Sequence, residues 1–287
     1  MCMNLLRRPA MLVILSGTSG VGKNTIINSL LSEYSEKYLL LPTYTTREMR
    51  EFEKQGEPYY FISEDQFKHK ILEDDFYEHE IVHGHFYGTS RNLLLNKKKE
   101  GKILIKDIDV KGTQNLVKIA KKDIDIVTFF LYVQSKEELK KRLISRGEKD
   151  IELRLSRYDL EMRYVDKYSY LIENENKDYT VSIINSLVEN EFNKVRFSPT
   201  HDASYSMIEH YIHVLQEKKP VNKFIEITQF RNQWFILSGH SLYLASLATG
   251  IHVTKKVINN YENKHIVVCK NGNDVWESFV NRLDESY

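Results

Sequence analysis

The sequence predicts an α/β fold, a parallel sheet with helices on both faces, and three observations support it. Met11-Leu12-Val13-Ile14-Leu15 is an apolar run without helical period that stops at Gly17, the pattern of a buried strand. Beyond the turn, Ile26, Ile27, Leu30 and Leu31 recur at helical spacing, so strand, glycine turn and helix follow one another. Further apolar runs at Leu39-Leu40-Leu41, Ile103-Leu104-Ile105 and Val127 to Val133 are separated by helical stretches, the order of repeated βα units. Two helix starts carry capping-box spacing, Ser63 with Gln66 and Ser135 with Glu138, and the second opens a basic helix from Glu137 to Ser145.

Composition sets the outer bounds. The 287 residues carry 41 Lys+Arg against 40 Asp+Glu, are 41% hydrophobic and include only 12 Gly and 5 Pro, which describes a folded, soluble chain of two modest domains. A net charge of +1 leaves no broad basic face, so a nucleic-acid partner is not expected. The only cysteines, Cys2 and Cys269, are far apart and offer neither a disulfide framework nor a zinc site, which points to a reducing compartment, the cytoplasm. Arg7-Arg8 before the Met11 to Leu15 run imitates a targeting signal. The run is too short to span a bilayer and is needed as a strand, so no membrane role is expected.

After Asn190 the style changes. Phe197-Ser198-Pro199-Thr200-His201-Asp202 reads as a polar connector, and the boundary is placed between residues 195 and 196. Residues 196–287 then form a small α/β domain: a helix near Tyr205 to Gln216, a strand at Phe224 to Ile227, another at Trp234 to Leu237, a Gly239-His240 turn and a closing helix from Asn273 to Leu283. From Phe197 onward there are nine Lys+Arg and nine Asp+Glu, so this unit is neutral by itself. His210 and His213 stand at i, i+3 with no identifiable third metal ligand.

The strongest chemical signal is Gly17-Thr18-Ser19-Gly20-Val21-Gly22-Lys23-Asn24-Thr25, which contains the G-x-x-x-x-G-K core of a phosphate-binding P-loop between strand and helix. Its glycines let backbone N–H groups converge on phosphate oxygens, Lys23 adds a point charge, and the helix N-terminus adds its dipole. The chain departs from the motif at Asn24, where a Ser or Thr hydroxyl normally holds Mg²⁺. Either the Asn24 amide or Thr25 substitutes, or phosphates, water and the acidic strand end hold the metal. Asp107 and Asp109 follow the strand Ile103 to Ile105, and alternation puts both carboxylates on one side of the chain. The end of a parallel strand beside a P-loop is where metal and ligand gather.

Downstream stand Thr43-Tyr44-Thr45-Thr46-Arg47-Glu48-Met49-Arg50, Gly56-Glu57-Pro58-Tyr59-Tyr60-Phe61, Glu78, Gly84-His85-Phe86-Tyr87-Gly88-Thr89-Ser90 and Ile108-Asp109-Val110-Lys111-Gly112. With the P-loop, their order and spacing resemble guanylate kinases over residues 11 to 190. The resemblance implies a P-loop NTPase-type domain, residues 1–195, with GMP-binding and lid insertions, using Mg²⁺ and ATP to phosphorylate GMP.

Family roles then carry over by position. Arg47, Arg50, Tyr59 and Tyr87 match the residues holding the acceptor phosphate, where guanidinium forks and phenolic donors suit a dianion. Glu78, Thr43, Thr89 and Asp109 match those around the guanine. A carboxylate accepts both N1–H and the 2-amino group, whereas adenine would face it with a lone pair. Asp107 is assigned to the metal's water shell together with Asn24. Arg146 and Arg154 match lid arginines that stabilise transition-state charge, although their interval is about three residues shorter than usual. Asn174 fits a position beside the donor nucleotide, and Arg142 is either a third lid arginine or surface.

The implied reaction is GMP + ATP to GDP + ADP, with dGMP as a further acceptor, and with Lys23 near the transferred group and water excluded by lid closure. The alternative is a guanine-nucleotide sensor or a non-catalytic interaction module regulating the second domain; retention of Lys23, Arg47, Arg50 and Glu78 argues against it. Protein partners are not indicated. Phe224 to Ile227, Trp234 to Ser241 and Ala245 to Ile251 resemble the ParB/sulfiredoxin-like fold, but His240-Ser241-Leu242 lacks that fold's phosphate-gripping arginine.

Overall fold

The computed structural model describes residues 10–258 except 83, 146, 149–150, 200–202, 222 and 231–232. Arg146, both cysteines and the expected Asn273 to Leu283 helix therefore lie outside the described residues. In chain order the elements are β1 Met11–Gly17, α1 Lys23–Glu33, β2 Tyr38–Leu40, β3 Thr43–Thr45, β4 Lys54–Gln55, β5 Pro58–Phe61, α2 Glu64–Leu72, β6 Phe76–Val82, β7 His85–Ser90 and α3 Arg91–Lys97. There follow β8 Ile103–Asp107, α4 Val110–Ala120, β9 Asp125–Tyr132, α5 Lys136–Ser145, α6 Ile151–Ser156, α7 Tyr158–Met162, β10 Tyr170–Glu173 and α8 Lys177–Phe192. The remainder is β11 Ser198–Pro199, α9 Tyr205–Gln216, β12 Ile225–Phe230, β13 Gln233–Ser238, α10 His240–Thr249 and β14 Lys255–Val257. No helix among the described residues is long and apolar enough to cross a membrane.

Two compact units result, Met1–Met162 with Asn174–Phe192, and Arg163–Glu173 with Asn193–Tyr287. The short segment Arg163–Glu173 groups with the second unit because Tyr170 and Leu171 of β10 pair in parallel with Lys255 and Lys256 of β14.

The first unit contains the parallel strands β9, β1, β8 and β2 in that spatial order. Every residue of β1 is buried, as the unbroken apolar run requires for a strand covered on both faces. Leu12 and Ile14 of β1 and Leu104 of β8 pack with Leu116 and Ala120 of α4. Alternation sends Val13, Leu15 and Ile105 to the opposite face, on the side of α1. Fully burying each such side chain contributes about 1.5–3 kcal/mol. A second, five-stranded sheet has the order β4-β5-β3-β7-β6, with β3 parallel to β5 and antiparallel to β7. Both capping boxes read from sequence form helix starts: Ser63 and Gln66 exchange both bonds, and Ser135 Oγ accepts from Glu138 N.

The second unit orders its strands β11-β13-β12-β14-β10, with β12 and β13 antiparallel and the other pairs parallel. Here the structure revises one expectation. The segment expected as a polar connector begins with a buried Phe197 that meets the rings of Trp234 and Tyr243, and Ser198–Pro199 pairs with β13. The apolar ring anchors the segment, and the proline is tolerated at the end of the sheet. Among the described residues no group of three or more His, Cys, Asp or Glu side chains is placed to hold a metal; His213 instead lies 3.3 Å from Glu217.

Candidate active site

The phosphate loop leaves β1 at Gly17, whose φ of +138° and contact with Leu131 exclude a side chain: an added Cβ would lie 2.0 Å from the Leu131 carbonyl oxygen. The loop is pinned there by Thr18 N donating to that oxygen, and α1 starts at Lys23 behind Gly22, which is itself left-handed. Lys23 Nζ donates to the carbonyls of Gly17 (3.0 Å) and Thr18 (3.4 Å), which curls the ammonium into the loop. Burial lowers its pKa, while Asp107, Glu161 and Asp109 oppose the shift and Arg157 adds to it. Among the described residues the buried Thr18 hydroxyl has no hydrogen-bond partner, an orphan consistent with a polar ligand over the loop.

The segment after α5 reaches the same loop. Arg154 Nη1 donates to Ser19 Oγ at 3.2 Å and Arg154 also pairs with Glu148 at 2.9 Å. Asn174 Nδ2 donates to Val21 O at 2.8 Å, and its buried Oδ1 has no partner among the described residues. Arg142 is not idle surface: it donates to Asn174 O at 2.7 Å and pairs with Glu138, so it holds the Asn174 backbone in place. One acid of this region is illegible in the sequence. Glu161 of α7 is 4% exposed and its Oε2 accepts from Ser19 N at 2.9 Å, a loop amide of the kind that binds phosphate. Burial raises its pKa, against the bond from Ser19 and the charges of Lys23 and Arg157.

Beside the loop lies a cavity of about 970 Å³ whose walls include Arg47, Arg50, Tyr59, Tyr87, Asn24 and Asp107. Here the predicted acceptor-phosphate residues and the predicted metal residues meet. Register explains part of the convergence, since Thr45 of β3 pairs with Tyr87 of β7 and Thr43 pairs with Tyr59 of β5. Arg47 is forked onto Glu53 (2.7 and 3.0 Å), whose carboxylate also accepts from Arg50 N at 2.8 Å. The Arg47 bonds hold the Glu53 carboxyl below its ordinary range. Tyr59, its ring 6.0 Å from that of Tyr87, has its pKa pushed up to about 12, mainly by burial, so it stays a neutral donor. Asp107 is the last residue of β8, in register with Leu15 of β1; its carboxylate and the Asn24 amide are hard oxygen donors lining the same cavity and fit Mg²⁺. Thr25 is exposed and is not among the cavity's lining residues.

A second cavity of about 250 Å³ is lined by Thr43, Glu78, Asp109 and Lys106, and shares Tyr59, Tyr87 and Asp107 with the first. Glu78 and Thr89 are paired across β6 and β7, and Thr89 Oγ1 donates to Glu78 Oε1 at 2.5 Å. Burial raises the Glu78 pKa, with Lys106 and the Thr89 hydroxyl pulling it back and Asp109 and Glu80 adding to the rise. Asp109 does a structural job as well: its Oδ1 accepts from Lys111 N and Gly112 N, both at 2.9 Å, capping α4. Lys106, also missed in the sequence, is 1% exposed and donates to Thr43 Oγ1. Its signal was present: a lysine follows directly on the apolar run of a strand buried from Ile103 to Lys106.

The sequence model of guanylate kinase matches residues 9–191. This chain belongs to the guanylate kinase family. A guanylate kinase from Clostridium acetobutylicum is 39% identical over 184 residues, 63% of this chain and 86% of that protein. One from Campylobacter jejuni (strain RM1221) is 41% identical over 168 residues, 57% and 80% of the two chains. In structure, the guanylate kinase of Anaplasma phagocytophilum aligns with a TM-score of 0.51 at 27% identity, covering 64% of this chain and 87% of that one. The family segment thus contains every predicted site residue, including Arg146, while residues 192–287 lie beyond it.

Proposed function

We propose that this guanylate kinase family member transfers the γ-phosphoryl group of ATP to GMP, giving GDP and ADP. The observation that carries the reading is the shared wall of the two cavities. Asp107, Tyr59 and Tyr87 line both, so a mononucleotide with its base beside Glu78 extends its phosphate toward Arg47 and Arg50, facing the P-loop helix. Backbone N–H groups of Gly17 to Gly22 and the Lys23 ammonium bind the donor phosphates. Arg154, already at Ser19, supplies charge where it develops on the transferred group, and Arg146 is its proposed companion. Glu78, held by Thr89, accepts from N1–H and the 2-amino group of guanine, with Thr43 and Asp109 completing the base pocket. Asn174 positions the donor through Val21. Bound between Asp107, Asn24 and the phosphates, Mg²⁺ would neutralise charge on the reacting oxygens. Arg47 and Arg50 orient the acceptor, and no covalent intermediate on the protein is required.

The same residues suit dGMP, because none of them is assigned to the sugar. The widely spaced cysteines favour a cytoplasmic enzyme. For residues 196–287 we propose a ParB/sulfiredoxin-like domain with a degenerate nucleotide-binding or structural role, in which Gly239, at φ +83°, opens α10 at His240. The test is coupled ADP release with Mg·ATP and GMP, dGMP, AMP, UMP or CMP. Guanine acceptors alone should support turnover, and failure of both would overturn the reading.

A further inference from the structure

Lys106 takes no part in the transfer just described, yet its side chain lines the base pocket. Among the described residues around that cavity it is the one lysine or arginine, set among the carboxylates of Glu78, Glu80, Asp107 and Asp109. Withdrawing an ammonium from water is costly unless it is paired and hydrogen-bonded, and an apolar side chain in its place would cover the same strand without that cost. The side chain instead reaches Thr43 and donates to its Oγ1.

We propose that Lys106 determines which base the pocket accepts, by fixing the Thr43 hydroxyl as a hydrogen donor toward the 6-oxo group of a purine. This rests on the guanylate kinase reading of the site. Burial lowers the Lys106 pKa, while the carboxylates of Glu78 and Asp107 oppose the shift and favour the ammonium. An ammonium has three donors and no acceptor, so Thr43 Oγ1 must accept from it and the hydroxyl hydrogen is left for another acceptor. Among the described residues Thr43 Oγ1 donates to no protein group. A 6-oxo group supplies the acceptor, whereas a 6-amino group would meet a donor with a donor. Without Lys106 the hydroxyl rotates freely and suits either. The same ammonium is the strongest of the charges opposing the burial-driven rise of the Glu78 pKa; the Thr89 hydroxyl works with it, and Asp109 and Glu80 against it. Lys106 is thus a positioning residue that acts on both edges of the base, holding a donor at position 6 and favouring an acceptor at positions 1 and 2.

The test uses the full chain with Lys106→Met, which keeps an unbranched stem and removes the donors. GMP is compared with its 6-thio analogue, which retains N1–H and the 2-amino group and replaces the 6-oxygen by a weakly accepting sulfur. In the wild type kcat/KM should favour GMP by about tenfold, the worth of one charge-assisted hydrogen bond. In the variant the KM for GMP should rise about tenfold with kcat within about threefold, and the preference should fall to about twofold. An unchanged KM for ATP would show that the fold is intact. The wild-type preference persisting in Lys106→Met overturns the proposal. Should that variant fail to fold, Thr43→Val replaces it: loss of the preference supports the proposal, and its survival overturns it. A wild type inactive on every guanine acceptor overturns the underlying reading as well, an outcome distinct from an active wild type matched by an unaltered variant.

Discussion

The two cavities of the acceptor site solve different problems with different electrostatics. In the phosphate cavity Arg50 is exposed and Arg47 retains 15% side-chain exposure, its charge already answered by Glu53. In the base pocket Lys106 is 1% exposed, Thr89 is fully buried, and burial is the largest influence on the Glu78 carboxyl. One paired and one solvated cation give an anion a strong but tolerant grip, since Glu53 screens Arg47 and water screens Arg50 against small errors of fit. Buried polar groups lose heavily when a partner is wrong, and so they discriminate. In the proposed reading, phosphate binding sets how tightly any mononucleotide is held, and the base pocket sets which one.

Changes to each side probe that division. The largest effect belongs to the donor side, which both cavities serve: Lys23→Ala should reduce GMP-dependent ADP release by about a thousandfold or more, and undiminished turnover would break the mechanism. Next comes Glu78→Gln, which keeps the shape but offers one acceptor instead of two. Its kcat/KM for GMP should fall about a hundredfold and the preference for GMP over AMP should shrink with it. Arg47→Lys should raise the KM for GMP about tenfold through loss of the fork, with the GMP to AMP preference unchanged. If Arg47→Lys altered that preference as much as Glu78→Gln did, the two cavities would not be separable.

The smallest effect is a pH shift. Burial raises the Glu78 pKa above the usual carboxyl value, Lys106 and Thr89 limiting the rise. In the proposed reading the ionised form accepts both guanine donors, so kcat/KM for GMP should decline as pH falls through this raised pKa, above the ordinary glutamate value of about 4.3. Glu78→Gln should flatten that limb. Stability follows the opposite sign: the folded state binds this proton more tightly, so Glu78 lowers stability as pH rises from its unfolded to its folded pKa.

What could be read from the sequence was what neighbours along the chain decide. The Gly17 to Lys23 loop, the Ser63 and Ser135 caps and the buried β1 depend on local spacing, and the structure forms each of them. Of the acceptor residues, Thr43, Tyr59, Glu78, Tyr87 and Thr89 lie on β3, β5, β6 and β7, Arg47 and Arg50 follow β3 and Asp109 caps α4, and family spacing rather than periodicity pointed to them; β-sheet register then brings Thr43 to Tyr59 and Glu78 to Thr89. Lys106 and Glu161 escaped because each gains its role from a partner 63 or 142 residues away; the apolar run before Lys106 marks it as a lysine in a buried strand but not its partner, and nothing local marks Glu161. Phe197 escaped because its polar followers disguised an anchor whose partners, Trp234 and Tyr243, come much later in the chain.

The most direct measurement is phosphorus NMR of the full chain turning over Mg·ATP and GMP together. Phosphoryl transfer to GMP predicts that the β-phosphate resonance of GDP grows at the same rate as that of ADP, with no free phosphate accumulating. ADP and inorganic phosphate appearing without GDP would contradict it.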